Sequence, residues 1–430
     1  MHLPAIRLLP VVLVWMALPL DRARADTSHG SVGSEVQVLA QTTSPDGTVR
    51  LAATPALARI GTAATRDRLM LMAHADIDAR VRASAVKLLG DARDPGVRYL
   101  LRAIAANDPD PYVRSLALEA EAQVVAFTRS PRSAAGYSLI CPGCGYFYLG
   151  QPARAAGYLG TTAALIGASL ALASGGSGSL QAGDPGPNRR PTTAPLAVPL
   201  LSATQNLWFY GVFASYRDAR LRRNDAGYTY PVSREELTDL ATAPFRPSVL
   251  RRPWFWAGLP VLFDAALGFS ALVDGDEPLR ATRTLGEGGG VWFLGRRYGT
   301  RTGFALGEGY YAGLFVPVGI GEEALFRGAL QPGLSELLGL WPGWAVTSLI
   351  FGAAHAFNFT EEEDGWSLAA KAVPFITATG SYLGLVAIKT GFQLETSVAL
   401  HFWYNFLLGT TSFIFDPDNQ PFALRFGLPF

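Results

Sequence analysis

Cysteine and histidine are scarce in this chain of 430 residues, which contains two of the former and five of the latter. The cysteines, Cys141 and Cys144, form a single Cys-Pro-Gly-Cys motif. Since the sequence has no second motif of this kind, a four-cysteine zinc site is excluded, and we interpret the motif as a tight Pro-Gly turn rather than a redox pair. The formal net charge is only +1, so the charge balance does not indicate a nucleic-acid partner.

Charged residues are unevenly distributed along the chain. Residues 26–130 are polar and charged, whereas residues 134–415 contain repeated long apolar runs. About 20 consecutive apolar residues are enough to cross a lipid bilayer as a helix. The pattern therefore predicts an all-α chain, in which a soluble domain precedes a polytopic membrane bundle.

The first 25 residues have the features of a signal peptide. An apolar core, residues 8–20, is followed by the small-x-small cleavage site Ala23-Arg24-Ala25. The core is too short for a comfortable transmembrane helix, and an uncleaved anchor is the alternative. Cleavage would leave the following domain outside the cytoplasm.

An internal repeat occupies residues 44–127. The motif Asp-x-x-Val-Arg begins at Asp46, Asp78 and Asp110, a constant spacing of 32 residues, and an Ala/Leu-rich stretch follows each copy. A repeat of this length predicts an α-solenoid, with the aspartate near a helix start and the valine and alanine residues facing the next repeat. The motif resembles short HEAT repeats, and the resemblance implies a contact surface for a protein partner.

Glu322, Glu323 and Arg327 directly follow the apolar run 304–320, and their charges are unfavourable inside a membrane. A charge at the centre of a bilayer costs about 3 kcal/mol or more, so such residues face a protein interior or a wet cavity. On a helix, Glu323 and Arg327 are four residues apart and can pair. Glu322 lies about 100° around the axis and is left available for chemistry.

Two of the five histidines lie in the apolar half of the chain. His355 follows Phe351 by four residues near the end of the run 344–357, and His401 lies inside the run 396–414. His401 and Asn405 are four residues apart and so share one helical face. A carboxylate in a desolvated pocket is an effective general base, so Glu322 with His355 suits the activation of water. His401 and Asn405 suit the binding of an oxyanion.

The patterns E-E-x-x-x-R, F-x-x-x-H and H-x-x-x-N, in this order on successive spans, resemble the motifs of the CPBP family of intramembrane proteases. This family includes the CAAX prenyl proteases and relatives connected with lysostaphin resistance and bacteriocin immunity, and the resemblance covers about residues 250–415. It implies an endopeptidase that hydrolyses peptide bonds of membrane-associated proteins. The catalytic residues would be Glu322, His355, His401 and Asn405, with Glu323, Arg327 and Phe351 structural at the site.

Metal dependence stays open at this point. The zinc motif H-E-x-x-H is absent, yet two histidines and a glutamate can form a three-ligand zinc site. The family has been described as metalloproteases, and its motifs also fit a metal-free glutamate mechanism, which we prefer. We therefore expect no cofactor and keep a divalent metal such as zinc as the alternative.

The orientation of the spans is predicted from a basic loop, residues 217–252. By the positive-inside rule this loop is cytoplasmic. An extracytoplasmic solenoid then needs an odd number of crossings before the loop. Residues 137–150 would supply the additional crossing as a short or kinked span, and an uncleaved anchor is the other solution. Asp264, in the middle of the next span, is interpreted as structural rather than as part of the substrate path.

These inferences define a domain order and two alternative functions. The predicted domains are a signal peptide 1–25, a HEAT-like repeat domain 26–130, a membrane hairpin region with the basic loop 131–252, a protease domain 253–415 and a C-terminal tail 416–430. We predict a multi-pass protein of the cell membrane with an extracytoplasmic repeat domain. The alternative to a protease is a non-proteolytic membrane scaffold or immunity-type protein that binds partners through its repeats.

Overall fold

The computed structural model describes residues 32–174, 193–223, 225, 228–274, 283–359, 365–415 and 417. The predicted signal peptide, and all of the predicted tail but residue 417, lie outside the described residues. As predicted, the chain is all-α, apart from one short β-hairpin. It divides into two compact units. Among the described residues, 32–130 form the body of the first unit, and 131–220 and 228–417 form the second unit. The residue limits given above for the domains stay predictions.

The repeat unit consists of successive short helices. Its helices are α1 Val32–Gln41, α2 Gly47–Ile60, α3 Ala63–Ala75, α4 Ala79–Ala92, α5 Arg98–Asn107 and α6 Pro111–Thr128, with a 3₁₀ turn at Pro95–Val97. The aspartate of each repeated motif caps a helix. Asp46, Asp78 and Asp110 have extended backbones, and each carboxylate accepts a hydrogen bond from the backbone N–H two residues later. An N-cap of this type stabilises a helix by about 1 kcal/mol.

Buried ion pairs connect consecutive repeats. Arg50 pairs with Asp76 and Arg82 with Asp108, both at 2.8 Å. For Asp108, burial works against ionisation, but the hydrogen bonds from Arg82 and from the backbone of Asp110 outweigh it and lower the pKa below its usual value. The arginine of the motif therefore fixes one repeat to the next.

The valines of the motif are not equivalent. Val81 and Val113 are fully buried in the core of the repeats, as predicted, whereas Val49 is 38% exposed. The prediction is wrong for Val49 because α2 lies near the N-terminal end of the described array. Terminal repeats lack a full neighbour on one side and are atypical for this reason.

The second unit contains the apolar helices. Its elements are α7 Pro131–Ile140, α8 Cys144–Tyr148, α9 Pro152–Ser174, α10 Ala197–Arg222, α11 Leu237–Thr242, α12 Pro247–Leu250, α13 Pro253–Asp274, β1 Val291–Phe293, β2 Arg296–Tyr298, α14 Thr300–Glu323, α15 Gln331–Leu338, α16 Leu340–His355, α17 Gly365–Lys389 and α18 Glu395–Phe415. Short 3₁₀ turns occur at Ala194–Leu196, Ala243–Phe245, Leu285–Glu287 and Ala356–Asn358. The unpredicted hairpin pairs Val291 with Tyr298 in antiparallel register.

Within the described ranges, three helices are long and apolar enough to cross a membrane: α9, α17 and α18. The predicted crossing at residues 137–150 is not a single helix. The ten residues of α7 end at Ile140, a turn contains a Cys141–Cys144 disulfide, and the five residues of α8 follow. Neither helix reaches the roughly 20 residues that a bilayer requires, so the additional crossing finds no support in the helix lengths.

The arginines of the basic loop have structural partners. Arg217 and Arg220 lie in α10 and are buried. Arg246 and Arg252 both pair with Glu395, the first residue of α18. The loop is therefore tied to the helix that carries the third motif, and several of its charges are not available to interact with lipid headgroups.

Two glycines allow the helices of the site to approach closely. A Cβ atom on Gly321 of α14 would lie only 2.4 Å from the side chain of Asn206 in α10. A Cβ atom on Gly380 of α17 would lie 2.6 Å from the ring of Phe351 in α16. Real Cβ atoms do not tolerate such distances, so a larger residue at either position would push these helices apart.

Candidate active site

Glu322 and His355 lie at the ends of two helices and face each other. Glu322 is the penultimate residue of α14, and His355 is the last residue of α16. The Nε2 atom of His355 is 3.6 Å from the Oε2 atom of Glu322. This distance is too long for a direct hydrogen bond, and both groups line the same cavity, where one water molecule can contact the two of them. The Nδ1 atom of His355 lies 2.7 Å from the carbonyl oxygen of Phe351. Since a carbonyl only accepts, Nδ1 of His355 is the donor in this contact, which leaves Nε2 facing the cavity.

Glu323, Arg327 and His401 form a buried polar cluster behind Glu322. Glu323 and Arg327 are both 0% exposed, and Arg327 Nη1 lies 3.1 Å from Glu323 Oε1. The pairing was predicted from the sequence, but Arg327 lies in a π-helical segment, Ala324–Leu330, rather than in a regular α-helix. Arg327 Nη2 also donates to the carbonyl oxygen of Gly380 at 2.8 Å.

His401 connects this cluster to Glu322. Its Nδ1 atom lies 2.9 Å from Glu323 Oε1, and its Nε2 atom lies 3.9 Å from Glu322 Oε2. A carboxylate accepts hydrogen bonds, so Nδ1 of His401 is the donor to Glu323. The contact between Glu323 and His401 was not predicted, because residues 78 positions apart carry no sequence signal of proximity.

Asn405 follows His401 by one turn of α18 and is almost completely buried. Neither its amide nitrogen nor its amide oxygen has a hydrogen-bond partner among the described residues. A buried amide is normally satisfied, so an unpartnered one requires an explanation. The side chain is available to a molecule that enters the site.

Phe351 packs among the polar residues. Its ring centroid lies 4.6 Å from that of His355 and 5.0 Å from that of Phe326. The guanidinium carbon of Arg327 lies 4.2 Å from the same centroid, which is a cation–π contact. Phe351 therefore contacts both His355 and Arg327, and its structural role stays a prediction.

All four residues predicted to be catalytic line one small cavity. About 20 Å³ of it is open to the centres of water molecules, which is room for about one water. The lining residues are Ala265, Ala266, Val318, Glu322, Phe351, His355, Phe375, Ile376, Thr379, His401, Tyr404 and Asn405. The cavity thus combines these four side chains, which come from three helices, with a mostly apolar wall. The geometry brings the residues together, while their individual roles stay predictions.

The zinc alternative was tested against the arrangement of side chains. In the part of the chain that the structure describes, no group of three or more His, Cys, Asp or Glu residues is arranged to hold a metal ion. The described side chains at the site do not fit a zinc ion, and we derive no reaction step through a metal.

Several cavity residues were not predicted from the sequence. Ala265 and Ala266 of α13 and Thr379 of α17 belong to spans without a motif, and small or weakly polar residues in such spans give no signal. Gln331, buried behind the site, donates to the carbonyl oxygen of Gly384 at 3.0 Å. Gln331 follows Arg327 by four residues, so the two share one helical face. A polar residue at this spacing from the first motif could have indicated that Gln331 lies near the site.

The comparisons with known proteins agree with both resemblances. Residues 308–407 match the model of the family described as type II CAAX prenyl endopeptidase Rce1-like, and these residues include all three motifs. Residues 36–121 match the model of HEAT repeats. Neither the curated proteins nor the solved structures contain a match to the chain. The chain thus joins a HEAT-repeat region to a region that is similar to the Rce1-like type II CAAX prenyl endopeptidases.

Proposed function

We propose that the protein is an intramembrane endopeptidase that hydrolyses peptide bonds of membrane-associated proteins without a metal. The observation that carries the proposal is the cavity where Glu322 Oε2, unpartnered among the described residues, lies 3.6 Å from His355 and 3.9 Å from His401. The unpartnered amide of Asn405 completes it. A water-sized space between a carboxylate and a histidine is what general-base hydrolysis requires.

In the first step, Glu322 removes a proton from the water molecule while His355 Nε2 accepts its second hydrogen bond. The water oxygen forms a bond to the carbonyl carbon of the substrate, whose oxygen becomes an oxyanion. The peptide C–N bond then breaks, and Glu322 passes the proton to the leaving amine. General-base assistance of this type contributes about 10²–10⁴-fold to a rate.

The oxyanion is bound by Asn405 and His401. Asn405 donates from its amide nitrogen, which needs no rearrangement because the amide is unpartnered. His401 already uses its Nδ1–H on Glu323, so it donates from Nε2 only as the imidazolium. The Glu323 carboxylate holds the ring of His401 with Nε2 towards Glu322, and Glu323 is therefore a positioning residue for His401 as well as the partner of Arg327.

The cellular arrangement belongs to the same proposal. The protein would be a multi-pass membrane protein with its HEAT-repeat domain outside the cytoplasm, where the repeats bind a partner or present substrates. The three apolar helices support the membrane location, and the HEAT match supports the repeat domain.

The test compares the membrane peptides of cells that produce the wild type, Glu322→Gln or Glu308→Gln. Glu308 is a matched control, because it lies on the same helix and accepts a hydrogen bond from Thr410 at 2.8 Å, which a glutamine can also accept. Cleavage products should appear with the wild type and Glu308→Gln, and fall by about 10²-fold or more with Glu322→Gln. Identical peptides from all three strains would refute the protease and favour the scaffold alternative.

A further inference from the structure

The arginine of the third repeated motif, Arg114, has no carboxylate partner among the described residues. In the first two repeats, Nε and Nη2 of the motif arginine donate to the two oxygens of an aspartate that lies 26 residues later in the chain. These pairs are Arg50 with Asp76 and Arg82 with Asp108. The residue 26 positions after Arg114 is Ile140, whose side chain accepts no hydrogen bond. The third copy of the motif therefore ends the series with an unused pair of donors.

The backbone holds Arg114 in the same way as the preceding arginine. Arg114 Nη1 donates to the carbonyl oxygen of Asp108 at 2.7 Å, and Arg82 Nη1 donates to the carbonyl oxygen of Asp76 at 2.8 Å. Arg114 is only partly buried, and its Nε and Nη2 atoms remain in contact with solvent. A guanidinium fixed in this manner presents two parallel N–H groups, which match the two oxygens of a carboxylate.

The helical surface beside Arg114 is open as well. The residues that follow the motif aspartate by eight positions in the three repeats are Thr54, Val86 and Leu118. Thr54 and Val86 are 0% exposed, whereas Leu118 is 59% exposed. Leu118 follows Arg114 by four residues, so the two lie on one face of α6. This face is buried inside the array in the first two repeats and accessible in the third.

The charge of Arg114 is not neutralised along this face. Glu121 lies two turns further along α6, but its carboxylate already pairs with Arg98 and Arg102 of α5. The last repeat of an array usually presents a polar outer surface to solvent. Here the corresponding surface combines a cation with the large apolar side chain of Leu118, as a surface does when another repeat packs on it.

We propose that this end face, defined by Arg114 and Leu118, binds a helical segment of a partner protein that carries an aspartate or glutamate beside apolar side chains. Arg114 takes the carboxylate as Arg82 takes Asp108, and Leu118 contacts the apolar side chains. The inference deepens the proposed role of the repeats, because it names the surface and the chemistry of the partner. It does not depend on peptide hydrolysis.

A second copy of this chain is a poorer occupant of the end face. In an end-to-end contact, the first repeat of the second copy would lie on Arg114. At the position equivalent to Asp76 that repeat has Ser44, which carries no charge. A two-fold contact would instead place two Arg114 cations against each other, and like charges repel. Charge complementarity therefore favours a foreign acidic segment.

The test measures the binding of labelled peptides to the full-length protein in detergent by fluorescence anisotropy. The probe has the sequence of residues 98–110, so it offers Arg114 the aspartate that Arg82 binds within the chain. A hydrocarbon staple keeps the peptide helical, because isolated helices of this length are marginal. The second probe has asparagine in place of that aspartate. The Asp peptide should bind about tenfold more tightly than the Asn peptide, as one charge-assisted bidentate contact would provide.

Three variants complete the design. Arg114→Gln should bind both peptides equally, and Leu118→Asn should weaken both without changing their ratio. Arg80→Gln is the matched control, because it removes an arginine whose side chain is 66% exposed on the preceding repeat, and it should leave the ratio unchanged. Circular dichroism shows whether each variant is folded.

Equal binding of the two peptides to the wild type, or a preference that survives Arg114→Gln, would overturn the proposal. If Arg114→Gln does not fold, the decision falls to Leu118→Asn, and unchanged binding to that variant would also overturn it. Cleavage plays no part in the readout. A protein that binds the Asp peptide but cleaves no substrate would refute the protease alone.

Discussion

Replacing Glu323 by glutamine should separate stability from catalysis at this site. Glu323 and Arg327 are completely buried, and the Glu323 Oε1 atom contacts both Arg327 and His401. Removing one member of a buried ion pair costs about 3–5 kcal/mol, because the remaining charge is left unpaired. The Glu323→Gln variant should therefore unfold at a markedly lower temperature or denaturant concentration than the wild type.

The double variant Glu323→Gln/Arg327→Gln provides the control. Without either charge, no unpaired ion is buried, and removing both members of a buried pair is often close to neutral. Most of the lost stability should return, which gives a coupling energy of several kcal/mol in the double-mutant cycle. Activity should stay low, by about tenfold or more, because His401 no longer has a carboxylate beside Nδ1.

Thermal unfolding in detergent, followed by intrinsic fluorescence, measures the stability of each variant. Cleavage of a substrate identified in cells measures its activity. If the double variant is as unstable as Glu323→Gln alone, the ion pair is not the source of the loss. If the double variant is stable and fully active, the carboxylate of Glu323 does not assist His401, and our account of the oxyanion site is wrong.

Three further predictions concern separate parts of the molecule. Asn405→Ala should lower kcat by about 10²-fold through the lost oxyanion donor, with unchanged thermal stability; an unchanged kcat would remove Asn405 from the mechanism. The pKa of Asp108 is lowered in the folded state by its partner Arg82, so its stabilising effect is present above about pH 4 and is lost as the pH falls through the lowered value. Protection of the α4 amides, measured as the exchange rate relative to the intrinsic rate at each pH, should fall on acidification in the wild type and less so in Asp108→Asn, and an equal response would contradict the linkage. In cells lacking the native cysteines, an impermeant thiol reagent should label Lys87→Cys in the repeats but not Thr238→Cys in the basic loop; the reverse result would invert the proposed orientation.

The repeat domain was largely predictable from the sequence because its determinants are local. Asp46, Asp78 and Asp110 reveal both the period and the helix starts, since an N-cap acts on a backbone N–H group only two residues away. The pairing of Arg82 with Asp108 was not predicted. Its members lie 26 residues apart, and the sequence alone does not distinguish this aspartate from the others nearby.

The membrane bundle was predicted less completely. The motif spacing predicted that Glu323 pairs with Arg327, because residues four apart on a helix are neighbours whatever surrounds them. The π-helical segment that carries Arg327 depends on packing against other helices and has no local signature. The turn within residues 137–150 was predicted from its Pro-Gly pair, whereas the disulfide between Cys141 and Cys144 was not, and the additional crossing there stays a prediction.

Three carboxylates on apolar helices illustrate why composition alone does not determine function. By residue type alone Glu322, Glu323 and Asp264 are equivalent, since each is a charge that a bilayer disfavours, and only the spacing from Arg327 singles out Glu323 in the sequence. In the structure Glu323 is completely buried and compensated by Arg327, which makes it part of the framework. Glu322 is partly exposed to a water-sized cavity beside two histidines, which makes it available as a base. Asp264 lies on an exposed face of α13 and has no ion-pair partner among the described residues, so it is neither part of the buried framework nor a group that lines the cavity. The surroundings of each carboxylate, and not its residue type, determine whether it stabilises the fold or is available to a molecule in the cavity.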